Sequence, residues 1–255
     1  MSEVSGNVLE VFVSVQGEGI HLGERHLFIR MFGCNLRCAY CDTPLGDEPP
    51  EKFPVDLPGM HKRLTNPVPA HRLAALIAKH FPPAFRPRAQ GRVGVSCISF
   101  TGGEPLYQPE FLSALASQFK SLISSVPPRL FLETNGVLPD ALEKVHPLFD
   151  IIAMDIKLPS VSRCEPFWQE HRRFLSIAPQ KTFVKVIVSR GMVDADFVKA
   201  MDVVASVSAG VPLVIQPVWP LDISGSRLMK LQEKALSRLS DVRIIVQQHE
   251  ILGLR

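Results

Sequence analysis

Two spacings of apolar residues alternate along the chain. Short runs rich in β-branched and aliphatic residues have the length of strands and cover Val8–Val15, His26–Phe32, Val93–Phe100, Arg129–Glu133, Asp150–Asp155, Thr182–Val188, Pro212–Ile215 and Val242–Val246. Most of these runs are separated by stretches with the apolar spacing of helices, namely Ala70–Phe81, Pro109–Ile123, Ala141–Leu148, Phe167–Ile177, Asp194–Val207 and Ser226–Leu239. Such alternation predicts βα units on a parallel sheet. Because about six units cannot complete an eight-stranded barrel, we expect an α/β fold in the form of an open, partial parallel βα barrel.

The segment from residue 46 to residue 69 breaks this pattern. It has no sustained period of either type, and seven prolines lie in it or at its edges, at Pro44, Pro49, Pro50, Pro54, Pro58, Pro67 and Pro69. We therefore expect a long surface loop or lid in this segment. No shift in composition marks a linker, so the simplest organisation is a single domain over residues 1–255.

Polar or glycine-rich clusters stand at the ends of five predicted strands. They are Cys34–Thr43, Thr101–Pro105, Thr134–Gly136, Asp155–Lys157 and Gln216–Pro217. Parallel βα folds carry their chemistry at the carboxyl ends of the strands, which meet at one rim. The sequence therefore predicts one site formed by all five clusters.

Charge and hydropathy exclude several classes of function. The 28 Lys and Arg residues nearly balance the 25 Asp and Glu residues, the net charge is +3, and no dense basic run marks a surface for nucleic acid or for an anionic membrane. The first residues lack the basic and apolar regions of a signal peptide, and no apolar stretch approaches the roughly 18–20 residues of a spanning helix. We expect a cytoplasmic protein that acts on a small molecule.

The strongest chemical signal is a group of three cysteines, Cys34, Cys38 and Cys41, in a predicted loop after a strand. Three thiolates on a short loop can hold three irons of a [4Fe–4S] cluster and leave the fourth iron free to bind a substrate or cofactor. Cys97 falls inside a predicted strand and Cys164 at a predicted helix start, so neither suits a fourth ligand. Zinc also binds thiolates, but the paired knuckles or histidines of structural zinc sites are not seen in the sequence.

The cysteine spacing, together with Thr101–Pro105, resembles the radical S-adenosylmethionine superfamily. A finer resemblance, to the 7-carboxy-7-deazaguanine synthase family, extends over nearly the whole chain. Its motifs are Val15–Gly19, Phe28–Arg30, Gly33–Cys38, Tyr40–Thr43, Leu132–Gly136, Gln216–Pro217 and Gln247–His249.

This resemblance implies a reaction and its cofactors. Members of the family convert 6-carboxy-5,6,7,8-tetrahydropterin to 7-carboxy-7-deazaguanine in the queuosine and 7-deazapurine pathway, contracting a ring and releasing ammonia. They use a [4Fe–4S] cluster, S-adenosylmethionine and Mg²⁺. An electron donor such as flavodoxin and a homodimer are also implied, and no nucleic-acid or membrane partner is expected.

The resemblance further implies roles for individual residues. Cys34, Cys38 and Cys41 would hold the cluster, and the hydroxyl of Thr43 would bind Mg²⁺. The residues implied in binding S-adenosylmethionine are Tyr40, Cys41, Asp42, Gly103, Glu104, Asp155, Ile156, Lys157 and Gln216. The pterin would contact Val15, Gln16, Gly17, Arg30 and Thr101, with Arg30 paired to its carboxylate.

Other functions stay open at this stage. A glycyl-radical-enzyme activating enzyme has the same cysteine spacing and acts on a protein, although Gln16–Gly19, Arg30 and Thr43 argue against it. Another radical S-adenosylmethionine enzyme with a different small substrate is also possible, because the segment 46–69 is longer than the family connector we expect. A non-catalytic electron carrier or a zinc-bound module is the alternative of another class.

Overall fold

The computed structural model describes residues 3–43, 46–80, 95–122 and 128–254. In chain order its strands are β1 (Ser5–Gly6), β2 (Val8–Val15), β3 (Arg25–Met31), β4 (Lys52–Leu57), β5 (Met60–Thr65), β6 (Val68–Pro69), β7 (Cys97–Gly102), β8 (Arg129–Thr134), β9 (Ile151–Ile156), β10 (Thr182–Val188), β11 (Leu213–Pro217) and β12 (Val242–Ile244). Its helices are α1 (Ala70–His80), α2 (Pro109–Leu122), α3 (Pro139–Val145), α4 (Pro159–Ser162), α5 (Trp168–Ile177), α6 (Asp194–Val207), α7 (Gly225–Leu236) and α8 (Gln248–Leu252). None of these helices is long and apolar enough to cross a membrane.

One large sheet contains ten strands in the order β12-β11-β10-β9-β8-β7-β3-β2-β4-β5. The strands β3, β7, β8, β9, β10, β11 and β12 lie side by side in chain order, and each is parallel to its neighbours within this series. Parallel neighbours need a crossover connection, and helices α1 to α7 lie in these connections. The predicted α/β fold, an open series of parallel βα units, is confirmed.

The parallel strands bury apolar side chains on both faces of the sheet. On the face covered by helices, residues such as Leu132, Met154 and Val186 belong to the main core. On the opposite face a smaller cluster contains Cys97, Phe131, Ala153, Phe183 and Val214. Because neighbouring residues on a strand point to opposite faces, one apolar run serves both clusters. The smaller cluster closes one end of the partial barrel and leaves the other end for polar groups.

Several element boundaries agree with the hydrophobic pattern. Strands β2 and β10 and helix α6 have the predicted limits. The helix predicted over residues 141–148 instead begins at Pro139 and ends at Val145, followed by a tight turn over His146–Leu148. Proline favours the first turn of a helix, because its missing N–H group would be unpaired there. Residues 81, 93, 94 and 123, which end or begin other predicted elements, lie outside the described residues.

The prediction of a loop or lid over residues 46–69 is wrong. Strands β4 and β5 form an antiparallel hairpin, and β4 joins the main sheet beside β2. Phe53, Val55 and Leu57 alternate inwards and are buried. Pro54 fits because the described pairing with β2 involves only the next two residues of β4, so its missing N–H is not needed there. Gly59 has φ +80°, a conformation that glycine adopts readily, and it follows Pro58 in the connecting turn.

The buried face of this hairpin should stabilise the protein measurably. Replacing Phe53, which is fully buried, by alanine removes apolar contacts from the core and should lower the free energy of unfolding by about 3–5 kcal/mol. Urea denaturation followed by circular dichroism would measure the loss. The matched control is Lys62→Ala, an exposed residue of β5, which should change the stability by less than about 0.5 kcal/mol. Equal, small effects of both substitutions would contradict the packed hairpin.

Candidate active site

A cavity of about 290 Å³ opens where the carboxyl ends of the parallel strands meet. The predicted site residues that line it are Val15, Gln16, Gly17, Arg30, Cys34, Cys38, Tyr40, Cys41, Asp42, Thr43, Thr101, Gly103, Asp155 and Lys157. They come from segments far apart in the chain. The structure therefore brings most of the predicted site residues to one place.

The cysteine loop, residues 34–41, supplies three thiols to this cavity. Cys34 and Cys38 are half-buried and Cys41 is exposed. The backbone N–H of Leu36 donates a hydrogen bond of 3.4 Å to Cys34 Sγ. Burial raises the pKa of Cys34 and raises that of Cys38 to about 12. Three thiols that share one cavity suit an iron–sulfur cluster, which binds them as thiolates.

Two glycines let the end of β7 pack directly against this loop. The N–H of Gly103 donates to the Met31 carbonyl at 3.1 Å, and the N–H of Glu104 donates to the Gly33 carbonyl at 2.8 Å. A Cβ atom on Gly103 would lie 2.1 Å from the Gly33 carbonyl oxygen and 3.1 Å from Cys34 Cβ. Any other residue at this position would push the cysteine loop away from the sheet. Gly103 therefore helps to position the loop at Cys34.

Glu104 forms hydrogen bonds inside the protein and is not among the residues that line the cavity. Its buried carboxylate accepts hydrogen bonds from the N–H of Leu106 at 3.0 Å, from Thr134 Oγ1 at 2.9 Å and from the N–H of Asn135 at 2.7 Å. Burial raises its pKa to about 7, although these hydrogen bonds and the charge of Lys157 act in the opposite direction. Glu104 thus joins the end of β7 to the end of β8, and its contact with a cofactor stays a prediction.

Ile156 and Gln216 also lie away from the lining of the cavity. Both are fully buried. The side-chain oxygen and nitrogen of Gln216 have no hydrogen-bond partner in the part of the chain that the structure describes. Two residues that follow Gln216 on the same connection, Val218 and Trp219, do line the cavity. The predicted roles of Ile156 and Gln216 in cofactor binding are therefore not supported by their position and stay predictions.

Arg30 and Thr43 are in direct contact. An Nη1 group of Arg30 donates to Thr43 Oγ1 at 3.3 Å, while its Nε donates to Glu10 at 2.8 Å. The guanidinium carbon lies 5.6 Å from the centre of the Phe12 ring. These contacts use two of the five N–H donors of Arg30 and leave the others able to bind a carboxylate. The residues assigned to the substrate carboxylate and to Mg²⁺ are thus neighbours.

Tyr40, Asp155 and Lys157 form a second polar group beside the cysteines. Lys157 Nζ lies 2.8 Å from an oxygen of Asp155 and 5.4 Å from the centre of the Tyr40 ring. Burial lowers the pKa of Lys157, but the carboxylate of Asp155 more than compensates and raises it. The ammonium group stays charged in a half-buried position. It can pair there with a carboxylate of a bound molecule.

The cavity also contains a largely buried ion-pair network. The sequence motifs do not predict it. Lys185, in the middle of β10, contacts the carboxylate of Glu18 and lies 3.2 Å from Asp155. Burial raises the pKa of Glu18, but the ammonium of Lys185 outweighs it and lowers the pKa to about 2. Period-two alternation from Phe183 to Lys185 in β10 is the signal that could have placed this lysine inside the barrel.

Glu133 is a further carboxylate at the cavity and is half-buried. It accepts hydrogen bonds from Gln16 Nε2 at 2.8 Å and from Thr101 Oγ1 at 3.0 Å. Burial raises its pKa, and the nearby ammonium of Lys185 acts against this increase. Two residues predicted to bind the substrate, Gln16 and Thr101, are therefore held by one acidic side chain that lines the same cavity.

The C-terminal segment covers part of the cavity. The N–H of Gln248 donates to the Gly17 carbonyl at 2.9 Å, and Gln247 Nε2 donates to Glu18 at 2.8 Å. A Cβ atom on Gly17 would lie 2.1 Å from His249 Nδ1, so glycine is needed for this approach. Residues 17–18 and 247–249 thus form one wall of the cavity. His249 and Glu250 also reach Asp42, which follows the cysteine loop, with side-chain ligand atoms within 4.8 Å of one another.

Comparison with known proteins identifies sequence relatives along the whole chain. A family model described as the Radical SAM superfamily matches residues 28–188. The chain is 40% identical to the 7-carboxy-7-deazaguanine synthase of Geobacter sulfurreducens, over 99% of both chains. It is 32% identical to the protein of the same name from Archaeoglobus fulgidus, over 98% of this chain and 99% of the relative.

Solved structures with a similar fold include the crystal structure of QueE from Escherichia coli. It has a TM-score of 0.55 and 18% identity, and the match covers 96% of this chain and 95% of that one. Streptococcus suis SuiB bound to S-adenosylmethionine has a TM-score of 0.51 and 13% identity, over 86% of this chain and 46% of the other. At these identities the likeness shows the fold alone.

The ion-pair network predicts a pH-dependent stability difference. Replacing Lys185 by methionine leaves buried carboxylates without their cation and should cost about 3–5 kcal/mol of unfolding free energy at pH 7. In the wild type the low pKa of Glu18 stabilises the fold above pH 4.5, and this contribution is lost as the pH falls towards 2. Without Lys185 burial raises that pKa, so ionisation of Glu18 destabilises the variant. The difference from wild type should therefore shrink between pH 7 and pH 4.

Urea denaturation at several pH values would measure this difference. Arg243→Met, which removes an exposed ion pair with Asp241, is the matched control and should cost at most about 1 kcal/mol. A loss in Lys185→Met that is the same at pH 7 and pH 4 would mean that the carboxylates do not depend on this lysine.

Proposed function

Because the chain belongs to the radical SAM superfamily and, within it, to the 7-carboxy-7-deazaguanine synthase family, we propose that it forms 7-carboxy-7-deazaguanine from a 6-carboxy-5,6,7,8-tetrahydropterin. The observation that carries this proposal is the 40% identity over 99% of both chains to a relative of that name. The reaction contracts the pterin ring and releases ammonia. The family resemblance supplies the substrate, and the geometry of the cavity supports the role of each binding residue.

Superfamily membership implies a [4Fe–4S] cluster and S-adenosylmethionine. The three thiols of Cys34, Cys38 and Cys41 fit such a cluster, since they share one cavity. When bound, the cluster and S-adenosylmethionine supply a carbon-centred radical that can abstract a hydrogen atom from the substrate. Lys157 and Asp155 would hold the polar groups of the cofactor beside the cysteine loop. The lining would restrict water and other hydrogen donors near the reacting carbon once both molecules fill the cavity.

Another part of the cavity lining would bind the pterin. Arg30 would pair with its carboxylate, because a planar fork of donors matches two carboxylate oxygens. Gln16 and Thr101 lie beside Glu133, whose carboxylate can accept N–H groups of a heterocyclic ring. Val15 and Gly17 complete this part of the lining. The substrate would thus lie between the arginine and the carboxylate.

We propose that Thr43 binds Mg²⁺. Magnesium prefers oxygen ligands, keeps several waters and often takes only one or two protein groups, with the substrate as a further ligand. Thr43 Oγ1 lies 3.3 Å from an Nη1 group of Arg30. A substrate carboxylate held by Arg30 would therefore be close enough to share the ion, which would stabilise negative charge during the ring contraction.

The alternatives are less well supported. Relatives that match along their whole length carry the name of the deazaguanine synthase, which does not favour a glycyl-radical-enzyme activating enzyme. A homodimer and a flavodoxin-type electron donor stay predictions from the family resemblance, and a cytoplasmic location stays a prediction from the sequence pattern.

Product formation tests the proposed reaction. Protein reconstituted without oxygen and given S-adenosylmethionine, dithionite, Mg²⁺ and 6-carboxy-5,6,7,8-tetrahydropterin should yield 7-carboxy-7-deazaguanine and ammonia in equal amounts, measured by mass spectrometry and an ammonia assay. Cys38→Ala should abolish turnover, because one iron loses its ligand. Formation of 5′-deoxyadenosine without the deazaguanine would point to another substrate. Bound zinc without sulfide would contradict the cluster itself.

The magnesium proposal predicts a specific defect in Thr43→Ala. Removal of the hydroxyl should lower the rate and raise the Mg²⁺ concentration needed for half-maximal rate, while the iron and sulfide content stays at the wild-type value. Steady-state assays over a range of Mg²⁺ concentrations would measure this. Thr43→Ser keeps the hydroxyl and should retain most of the magnesium response. An unchanged magnesium response in the alanine variant would exclude Thr43 as a ligand.

A further inference from the structure

A fourth cysteine lies against the predicted cluster loop. The Sγ atoms of Cys164 and Cys38 are 3.7 Å apart, although the residues are 126 positions apart in the chain. Cys164 lies outside the three-cysteine motif and is half-buried. The sequence alone assigns it no function. The structure places it beside Cys38, one of the three predicted cluster ligands.

Backbone and side-chain hydrogen bonds hold Cys164 in this position. Arg163 adopts φ +63° at the end of α4 and reverses the chain, and the N–H of Cys164 then donates to Ser162 Oγ at 3.2 Å. Ser162 is fully buried, and its hydroxyl donates to the Leu158 carbonyl at 2.9 Å. On the other side, the N–H of Ala39, next to Cys38, donates to the Ser162 carbonyl at 2.8 Å. One buried serine therefore connects both cysteines.

We propose that Cys164 is a positioning residue for the iron–sulfur cluster, whose thiol donates a hydrogen bond to the sulfur of Cys38. This proposal rests on the cluster of the proposed function. Once Cys38 binds iron as a thiolate, it has no proton of its own, and its sulfur can only accept. A thiol is a weak donor, but an acceptor that carries negative charge strengthens the bond.

The arrangement favours a donor over a fourth iron ligand. Cys164 lies in contact with Cys38, which would itself be the protein ligand of the nearby iron. The thiol of Cys164 can also donate to the Ser162 carbonyl, 3.8 Å from its sulfur, but an iron-bound thiolate at Cys38 carries negative charge and is the stronger acceptor. Hydrogen bonds to the sulfur ligands are one of the means by which proteins set the reduction potential of such clusters. Because the reduced cluster carries more negative charge, the bond from Cys164 stabilises the reduced form more.

The experiment compares Cys164→Ala, Cys164→Ser and the control Cys97→Ala in protein reconstituted without oxygen and kept free of pterin. Cys97 is a fully buried cysteine in the apolar cluster at the other end of the barrel, so its removal controls for the loss of a thiol elsewhere. Redox titration followed by electron paramagnetic resonance would give the reduction potential. Resonance Raman spectra in H₂O and D₂O would report on exchangeable hydrogen bonds to the iron–sulfur unit.

In Cys164→Ala we expect a more negative reduction potential and a smaller deuterium shift of the Fe–S stretching bands. Cys164→Ser keeps an exchangeable O–H donor and should restore part of both effects, while Cys97→Ala should match the wild type. A wild-type potential together with a wild-type deuterium shift in Cys164→Ala would overturn the proposal.

The iron and sulfide content of each variant shows whether the cluster is retained. Loss of the cluster in the alanine variant only, with retention in the serine variant, would support the hydrogen bond. Loss in both variants would overturn it, because it would identify Cys164 as an iron ligand. These measurements need no pterin, so they are independent of the substrate assignment. A wild-type protein that binds no cluster would contradict the proposed function instead.

Discussion

The burial of opposite charges inside the partial barrel is the constraint on which the candidate site depends. Lys185 lies on β10, away from water, and an ammonium group stays charged there only when carboxylates lie beside it. Glu18 and Asp155 provide these carboxylates. Glu18 belongs to the glycine-rich turn after β2, so this turn must fold across the sheet to reach β10. The same crossing brings Gln16 to Glu133 and creates a polar wall.

The cysteine loop is held by contacts at both of its ends. Near its start the end of β7 packs against Gly33, and this approach is possible because Gly103 has no side chain. Further along, the backbone of Ala39 is bound to Ser162 after β9. A loop without regular secondary structure thus gains defined positions for its thiols from the neighbouring strands. This arrangement suits a cluster, which needs its ligands at particular places around the irons.

Charge is concentrated in the cavity although the whole chain is close to neutral. Lys157 and Lys185 pair with Asp155 and Glu18, and Arg30 pairs with Glu10, so these charges already have partners. A ligand with both a carboxylate and N–H groups can add to such a lining at the donors and acceptors that remain. The C-terminal segment closes over the glycine-rich turn and limits the space on that side. The site therefore combines segments from both ends of the chain.

Much of the fold and of the site follows from local properties of the sequence. Hydrophobic period predicts β2, β10 and α6 with their limits, and cysteine spacing predicts the chemistry of the loop, since both depend only on neighbouring residues. The hairpin of β4 and β5 is not predicted, because the many prolines of that segment outweigh the short alternation of Phe53, Val55 and Leu57. Lys185 and Cys164 acquire their meaning only in the tertiary structure. Their partners, Glu18 and Cys38, are 167 and 126 positions away in the chain, and no local pattern determines such contacts.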